Sequence, residues 1–120
     1  MPAYVDGFVI AVPRQNLAAY RKLARIACQV WREYGALDYK ECVGDDLKTE
    51  FGRSFPQLAR VKAGETVVFA WILYKSRAHR DRVNAKVMQD PRMTAMCDPK
   101  HPPFDLKRMS YGGFKVFVSA

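Results

Sequence analysis

The sequence has few of the residues that mark disulfide-rich or metal-binding proteins. It contains three cysteines and two histidines in 120 residues. Cys28, Cys42 and Cys97 form no close pair and match no C-x-x-C or zinc spacing. His79 and His101 show neither an H-x-x-x-H pattern nor a carboxylate at a spacing typical of metal ligands, so no metal site is expected.

Targeting and membrane signals are also missing from the pattern. No basic leader and no apolar run is long enough for a signal peptide or a membrane span. Cys28 falls among apolar helix residues and Cys42 in a strand, as is typical of small packed side chains in a reducing cytosol. The sequence therefore predicts a soluble cytoplasmic protein with no membrane contact.

Acidic residues are in the minority, because 20 lysines and arginines stand against 12 acids, for a formal net charge of +8. That balance favours acidic partners such as nucleic acid or anionic ligands. The basic residues are spread over several faces, however, where they serve solubility, so a dedicated nucleic-acid role is not expected. The apolar share of 49% suits one globular domain over residues 1–120 with its own core.

Hydrophobic patterns divide the chain into four strands and two main helices. The helix predicted over 14–36 has apolar residues spaced by three and four, with basic residues on its other side. The helix predicted over 77–90 begins after Ser76, a capping residue, and stops before Pro91. The strands are predicted over 4–12, 36–44, 66–74 and 109–118.

The connections carry their own signals. Segment 45–64 is long for a compact domain, which indicates a short element of its own or a role at a site or interface. "PRMTAM" (91–96) can form a further short turn, and "DPKHPPFD" (98–105) can form the rim of a pocket. Paired glycines in the last strand, Gly112 and Gly113, indicate a bulge or a close backbone approach.

The element order β-α-β-β-α-β predicts an α+β, ferredoxin-like fold with one antiparallel sheet and two helices on one face. The third strand is apolar on both sides, with Val67, Phe69, Trp71 and Leu73 facing one way and Val68, Ala70, Ile72 and Tyr74 the other. A sheet face of that kind would leave a large apolar patch in water. The sequence therefore predicts a homodimer in which two open sheet faces pack together.

Three stretches resemble a known family: "YVDGFV", "GETVVFAWILYKSRAHRDRVNAKVMQDPRM" and "PFDLKRMSYGGF". They closely resemble the small YbaA-like family of uncharacterised bacterial proteins, nearly end to end and least over about 45–62. The resemblance implies the dimeric α/β-barrel, ferredoxin-like superfamily. Relatives at that level include cofactor-independent monooxygenases, muconolactone isomerase-like enzymes, haem proteins and regulatory modules. The resemblance supplies no catalytic residues, and the fold does not choose among these activities.

Two polar residues of the second helix, Arg80 and Asn84, fall in its inward-facing stripe, where each needs a partner. In one interpretation Asn84 caps backbone at a sheet edge and Arg80 pairs with one of three acids: Asp6, Asp38 or Glu41. In the other, the two form the polar corner of a helix–sheet pocket for an anionic or carbonyl-bearing small molecule.

The other pocket candidates are His79, Trp31, Trp71 and Tyr39. His79 has the titration range of a general base, although a surface position is commoner for such a residue. The three aromatic residues can line an apolar cavity, which suits cofactor-free monooxygenase or isomerase chemistry, and no cofactor is expected. The competing function is a non-enzymatic or RNA-associated role through the basic helix faces: Arg21, Lys22, Arg25, Arg32, Arg82 and Lys86.

Overall fold

The computed structural model describes residues 2–96 and 102–120, and over these the chain forms four strands and four α-helices. The strands are β1 (Tyr4–Pro13), β2 (Asp38–Val43), β3 (Glu65–Tyr74) and β4 (Ser110–Lys115). The helices are α1 (Leu17–Glu33), α2 (Phe55–Leu58), α3 (Arg77–Gln89) and α4 (Pro91–Met96). Short 3-10 turns precede α1 and β4, at Arg14–Asn16 and Leu106–Arg108. Cys97 and His101, both considered above, lie outside the described residues.

The four strands form one antiparallel sheet in the order β2-β3-β1-β4. The central strands β1 and β3 pair along ten residues each, from Tyr4 with Tyr74 to Pro13 with Glu65. Because β3 lies between β1 and β2, the connection through α1 crosses over it, and α3 links β3 to β4 in the same way. The predicted ferredoxin-like arrangement is confirmed.

Strand alternation assigns each residue to one of two sheet faces. Even-numbered residues of β1 and β3 share the face that the helices cover, as in the pairs Ile10 with Val68 and Asp6 with Ile72. The side chains most completely withdrawn from water lie in this helix–sheet layer: Val12, Val30, Tyr74, Val83 and Val87. Burial of such a side chain stabilises the fold by roughly 1.5–3 kcal/mol.

Local signals at the helix ends agree with the sequence. Ser76 Oγ accepts a hydrogen bond from the His79 backbone N–H at 3.1 Å, so Ser76 caps α3 as predicted. Asp90 then leaves the helical conformation and Pro91 starts α4. Helix α1 is shorter than the predicted 14–36, because its first turn is a 3-10 turn and Gly35 follows its end with φ 116°, a left-handed conformation that favours glycine.

The 45–64 segment covers one end of the sheet face opposite the helices, here called the open face. Its helix α2 packs against β3, where the rings of Phe55 and Phe69 lie 6.1 Å apart between centroids. Ala11 and Val67, both on the open face, are only 2% exposed at this end. The long segment therefore has a structural role, and the uncovered part of the open face is smaller than the sequence suggested.

Two ion-pair clusters tie the connecting segments to the core. Arg108, before β4, makes two 2.7 Å hydrogen bonds to the Glu65 carboxylate, and these hold the pKa of Glu65 at about 2. The buried Asp90 accepts hydrogen bonds from Arg92 at 3.0 Å and from the Tyr34 hydroxyl at 2.8 Å. The Arg92 guanidinium, and then the Tyr34 hydroxyl, lower the pKa of Asp90 below its ordinary value. This cluster joins the ends of α1, α3 and α4.

Candidate functional site

A cleft of about 1070 Å³ lies between helices α1 and α3 and the helix-covered face of the sheet. Small side chains on α1, Ala24 and Ala27, face it and leave space above the sheet. Its floor is formed by alternate residues of the central strands: Asp6, Phe8, Ile10, Ala70 and Ile72. A mostly apolar concavity of this size with a few polar groups is typical of small-molecule sites.

The described part of the proline-rich connection forms one side of the cleft mouth. Pro102, Pro103 and Phe104 all line the cleft. Asn16 Nδ2 donates to the Pro103 carbonyl at 3.1 Å, and the rings of Tyr20 and Phe104 meet edge to face at 5.5 Å. These contacts attach the connection to the start of α1, whereas residues 98–101 of the predicted rim lie outside the described residues.

Arg80 enters the cleft from α3 and meets an acid of β1. Its Nη1 donates to Asp6 Oδ1 at 2.6 Å, its Nε donates to Asp81 Oδ1 at 2.8 Å, and its guanidinium lies 4.9 Å from the centre of the Tyr4 ring. Asp6, one of the three partners considered from the sequence, is 5% exposed. Arg80 is therefore a paired cation, already neutralised by carboxylates before any ligand arrives.

Asn84 lies one helical turn after Arg80 and connects side chains from three elements. Its Oδ1 accepts from Trp31 Nε1 at 3.0 Å and from the Tyr74 hydroxyl at 3.1 Å, and its Nδ2 donates to Asp6 Oδ2 at 3.4 Å. Burial raises the pKa of Tyr74 above its ordinary value, so this phenol remains a neutral donor. The expected backbone cap at a sheet edge is wrong, because every one of these partners is a side chain.

A second polar group of the cleft lies on β2, at Glu41. One carboxylate oxygen accepts from the Tyr20 hydroxyl at 2.6 Å and the other from the Tyr39 hydroxyl at 2.7 Å. Burial, together with the neighbouring carboxylate, raises the pKa of both phenols above the ordinary range. The sequence named Tyr39 as a pocket wall and Glu41 only as a possible partner of Arg80, and Tyr20 was not among its pocket candidates. The available signal was the two-residue spacing of Tyr39 and Glu41, which places them on one strand face.

Trp71 does not line the cleft. It pairs with Gly7 and Lys40 in the sheet and lies on the open face, where Lys40 Nζ is 5.8 Å from its ring centre. A residue on that face is separated from helices α1 and α3 by the sheet itself. The prediction of Trp71 as a pocket wall is therefore wrong, whereas Trp31 and Tyr39 do face the cleft.

His79 also lies away from the cleft, in the first turn of α3. Its Nδ1 accepts the Lys75 backbone N–H at 3.0 Å, and its ring meets the Tyr74 ring edge to face at 6.0 Å. Burial, and then the nearby Arg82 and Lys75, lower the pKa of His79 and favour the neutral ring. These contacts hold the His79 side chain at the end of β3. The prediction that His79 belongs to the polar corner of the pocket is therefore wrong.

The six basic residues considered for nucleic-acid contact are all exposed on α1 and α3. Arg32 is partly committed, because its guanidinium donates to the backbone carbonyls of Ala36 and Leu37. The others lie on the water-facing sides of the helices, as in many soluble proteins. No helix within residues 2–96 and 102–120 is long and apolar enough to cross a lipid bilayer.

Comparison with known proteins places the chain in a family. A family model described as a protein of unknown function, DUF1428, matches residues 3–106. The chain belongs to this family. It is 43% identical over 115 residues to the uncharacterized protein YbaA of Escherichia coli strain K12, covering 96% of this chain and 97% of that protein. YbaA of Shigella flexneri matches to the same extent. The predicted YbaA-like relationship is confirmed.

Solved structures with the same fold are more distant in sequence. A dimeric ferredoxin-like protein from an uncultured marine organism matches over 100% of both chains, with a TM-score of 0.56 at 11% identity. A candidate antibiotic biosynthesis monooxygenase from Bacillus cereus matches with a TM-score of 0.54 at 11% identity, over 100% of this chain and 98% of that one. An uncharacterized NIPSNAP domain protein from Burkholderia xenovorans gives 0.55 at 14%, over 98% and 94%. These similarities show the fold alone.

Proposed function

We propose that this protein binds a small molecule with an aromatic body in the helix–sheet cleft. The observation that carries the proposal is the cleft itself: about 1070 Å³ of space lined mainly by apolar and aromatic side chains of the described residues. A packed helix–sheet layer ordinarily leaves few voids larger than a water molecule. Beside this space lie two hydrogen-bonded polar groups, one around Arg80 and Asn84 and the other around Glu41. Apolar space with a few polar groups is the usual form of a binding site.

The charges in the cleft disfavour an anionic ligand, which the sequence had left open. Arg80 is bonded to both Asp6 and Asp81. Arg108, also on the cleft, is bonded to Glu65. An anion would have to compete with these carboxylates for guanidinium groups, and it would face Glu41 as well. The rest of the cleft lining is compatible with a ligand that has an uncharged aromatic surface.

Catalysis without a cofactor, of monooxygenase or isomerase type, is the further step of this proposal. Such chemistry needs an electron-rich substrate in a water-poor cavity, with hydrogen-bond donors placed where negative charge develops. Arg80 and the Asn84 amide can supply donors, and Trp31 and Tyr39 supply aromatic walls. The Bacillus cereus protein named above, a candidate monooxygenase, shares the fold, which is compatible with activity of this type.

Filling the cleft tests the binding proposal. Naphthylmethanol, an uncharged fluorescent probe, is expected to bind the wild-type protein saturably, and Ala24→Phe should weaken binding at least tenfold because the new ring occupies cleft space. Ala85→Phe is the matched control, since Ala85 is an exposed alanine of α3 and the two changes cost similar helix propensity. Fluorescence titration gives each affinity. Absence of saturable binding, or equal weakening by both variants, contradicts the proposal.

We also propose that the protein is a homodimer through the open face. Two open-face aromatics remain well exposed in spite of α2, with Phe69 43% and Phe114 62% accessible. Trp71 and Leu73 continue the same face of β3. A sheet face of this kind can supply the roughly 800 Å² per partner of a stable interface. The marine ferredoxin-like neighbour, named as dimeric, has the same fold.

A lysine on the open face should separate the two copies. Phe114→Lys is expected to give a monomer at micromolar concentration in size-exclusion chromatography with light scattering, where the wild type is a dimer, because the interface would bury a charge. Tyr111→Lys is the control, since Tyr111 is a similarly exposed aromatic of β4 on the opposite sheet face. A monomeric wild type, or a dimeric Phe114→Lys, rejects the open-face dimer.

The cytoplasmic location predicted from the sequence is part of the same proposal. Cys28 and Cys42 are free thiols, and Cys42 is exposed. A reducing compartment keeps such thiols unpaired. Fractionation of the native host should therefore recover the protein with cytoplasmic enzymes, and recovery from an oxidising compartment would reject this location.

A further inference from the structure

One end of the cleft combines a carboxylate with aromatic rings. The rings of Trp31 and Tyr39 lie 6.1 Å apart, and those of Tyr20 and Phe104 lie 5.5 Å apart. Both tyrosines point their hydroxyls at the Glu41 carboxylate. All five residues line the same cleft. This end is therefore aromatic and negatively charged at once, in a protein whose formal net charge is +8.

Glu41 lacks a cationic partner in the described part of the chain. Arg80 is bonded to Asp6 and Asp81, Arg108 is bonded to Glu65, and no lysine, arginine or histidine nitrogen of residues 2–96 or 102–120 forms a salt bridge with Glu41. A carboxylate offers about four lone-pair positions, and the two phenols use one on each oxygen. Acceptor positions on both oxygens thus remain for a donor that enters the cleft.

We propose that this end of the cleft binds an organic cation: an ammonium group carried on an aromatic or apolar body. The inference rests on the proposed small-molecule site and names its ligand class. An ammonium group can donate to the open carboxylate positions in a charge-assisted hydrogen bond. Aromatic rings close to it add cation–π attraction, and their apolar surface packs against the body of the ligand.

The sheet register gives the distance between the two polar groups of the cleft, and so the length of a ligand that contacts both. Glu41 pairs with Ala70, which pairs with Phe8, whereas Asp6 lies two residues farther along β1. Two strand spacings and a two-residue offset separate the Cα atoms of Glu41 and Asp6 by roughly 12 Å. A ligand with two fused rings can place its cation at Glu41 and a hydrogen-bond acceptor near Arg80 and Asn84. Glu41 thus contacts one end of the ligand, and Arg80 and Asn84 contact the other.

The overall charge of the protein and the proposed Glu41 site favour ligands of opposite charge. The long-range field of a chain at +8 attracts anions and repels cations. At physiological ionic strength that field is screened beyond about 8 Å, whereas a contact at Glu41 is not. A preference for cations can therefore arise only from local groups of the cleft, and an anion preference is the result expected without the Glu41 site.

Three probes that differ in charge test the inference on the full chain: naphthylmethylammonium, naphthylmethanol and naphthoate. The wild type is expected to bind the ammonium probe at least tenfold more tightly than the alcohol, and the carboxylate most weakly. Glu41→Gln should reduce the ammonium-to-alcohol ratio to about one. Glu50→Gln should keep the ratio, because it makes the same change at an exposed glutamate that does not line the cleft. Thermal melting of each variant shows that it is folded before titration.

The outcomes separate this inference from the proposed function. Equal affinity of the wild type for the ammonium and alcohol probes overturns the cation site but leaves a small-molecule cleft. Retention of the full ratio in Glu41→Gln overturns the role of Glu41, as does a preference for naphthoate. If the wild type binds none of the three probes, the proposed cleft fails, and the cation site fails with it.

Discussion

Arg80→Ala is expected to lower the free energy of unfolding by about 3–5 kcal/mol, which is the usual cost of leaving a buried charge unpaired. Asp6 is 5% exposed and would keep its carboxylate without its cationic partner. Asn84 Nδ2 also donates to Asp6 but at 3.4 Å, which is too long to replace a 2.6 Å charge-assisted bond. Urea denaturation of the variant and wild type measures the difference.

Two comparisons assign that loss to the buried pair. Asp81→Ala removes the other acid on Arg80, and because Asp81 is 60% exposed this change should cost no more than about 1 kcal/mol. The double variant Asp6→Asn with Arg80→Met removes both charges and should be more stable than Arg80→Ala alone. A loss below about 1 kcal/mol in Arg80→Ala would contradict the described pairing.

Gly113→Ala is expected to lower the free energy of unfolding by about 1–3 kcal/mol through overpacking. A Cβ built at Gly113 would lie 2.6 Å from Tyr4 Cε2 and would also clash with the Tyr4 hydroxyl. The Tyr4 ring cannot swing aside freely, because it is buried and the Arg80 guanidinium lies 4.9 Å from its centre. Thermal or urea denaturation checks the effect.

The neighbouring glycine is the matched control for this substitution. A Cβ built at Gly112 meets no atom within 4 Å, and its backbone does not require a left-handed conformation. Gly112→Ala should therefore be neutral or stabilise the protein by up to about 1 kcal/mol, because alanine restricts the unfolded chain. Equal destabilisation by both substitutions would show that strand β4, rather than the Tyr4 contact, is sensitive.

Much of the fold follows from local patterns. The three- and four-residue spacing along α1, the cap at Ser76 and the stop before Pro91 each depend on neighbours in sequence. The paired glycines indicated a close approach, and Gly113 makes one with Tyr4. The long 45–64 segment indicated a short element, but the bounds of helix α2 within it were not predicted, because four residues are too few to show helical periodicity.

The candidate site was only partly predictable, because it depends on contacts between distant segments. Alternation along β3 groups Trp71 with Phe69 and Leu73 but does not say which group the helices cover, and so Trp71 was placed on the wrong side. Helical geometry aims Arg80 and Asn84 inward, yet only the sheet register brings Asp6 beneath them. Glu41 and Tyr20 are 21 positions apart, and their contact requires α1 to lie across β2.

The two tryptophans of the chain provide the most direct test of the cleft, because they lie on opposite sides of the sheet. Trp31 lines the cleft and donates its indole N–H to Asn84, whereas Trp71 lies on the open face. In a nitrogen-15 NMR titration with naphthylmethanol, the Trp31 indole resonance should shift to saturation while the Trp71 resonance stays in place. A fixed Trp31 resonance, or a shift confined to Trp71, would contradict a small-molecule site between the helices and the sheet.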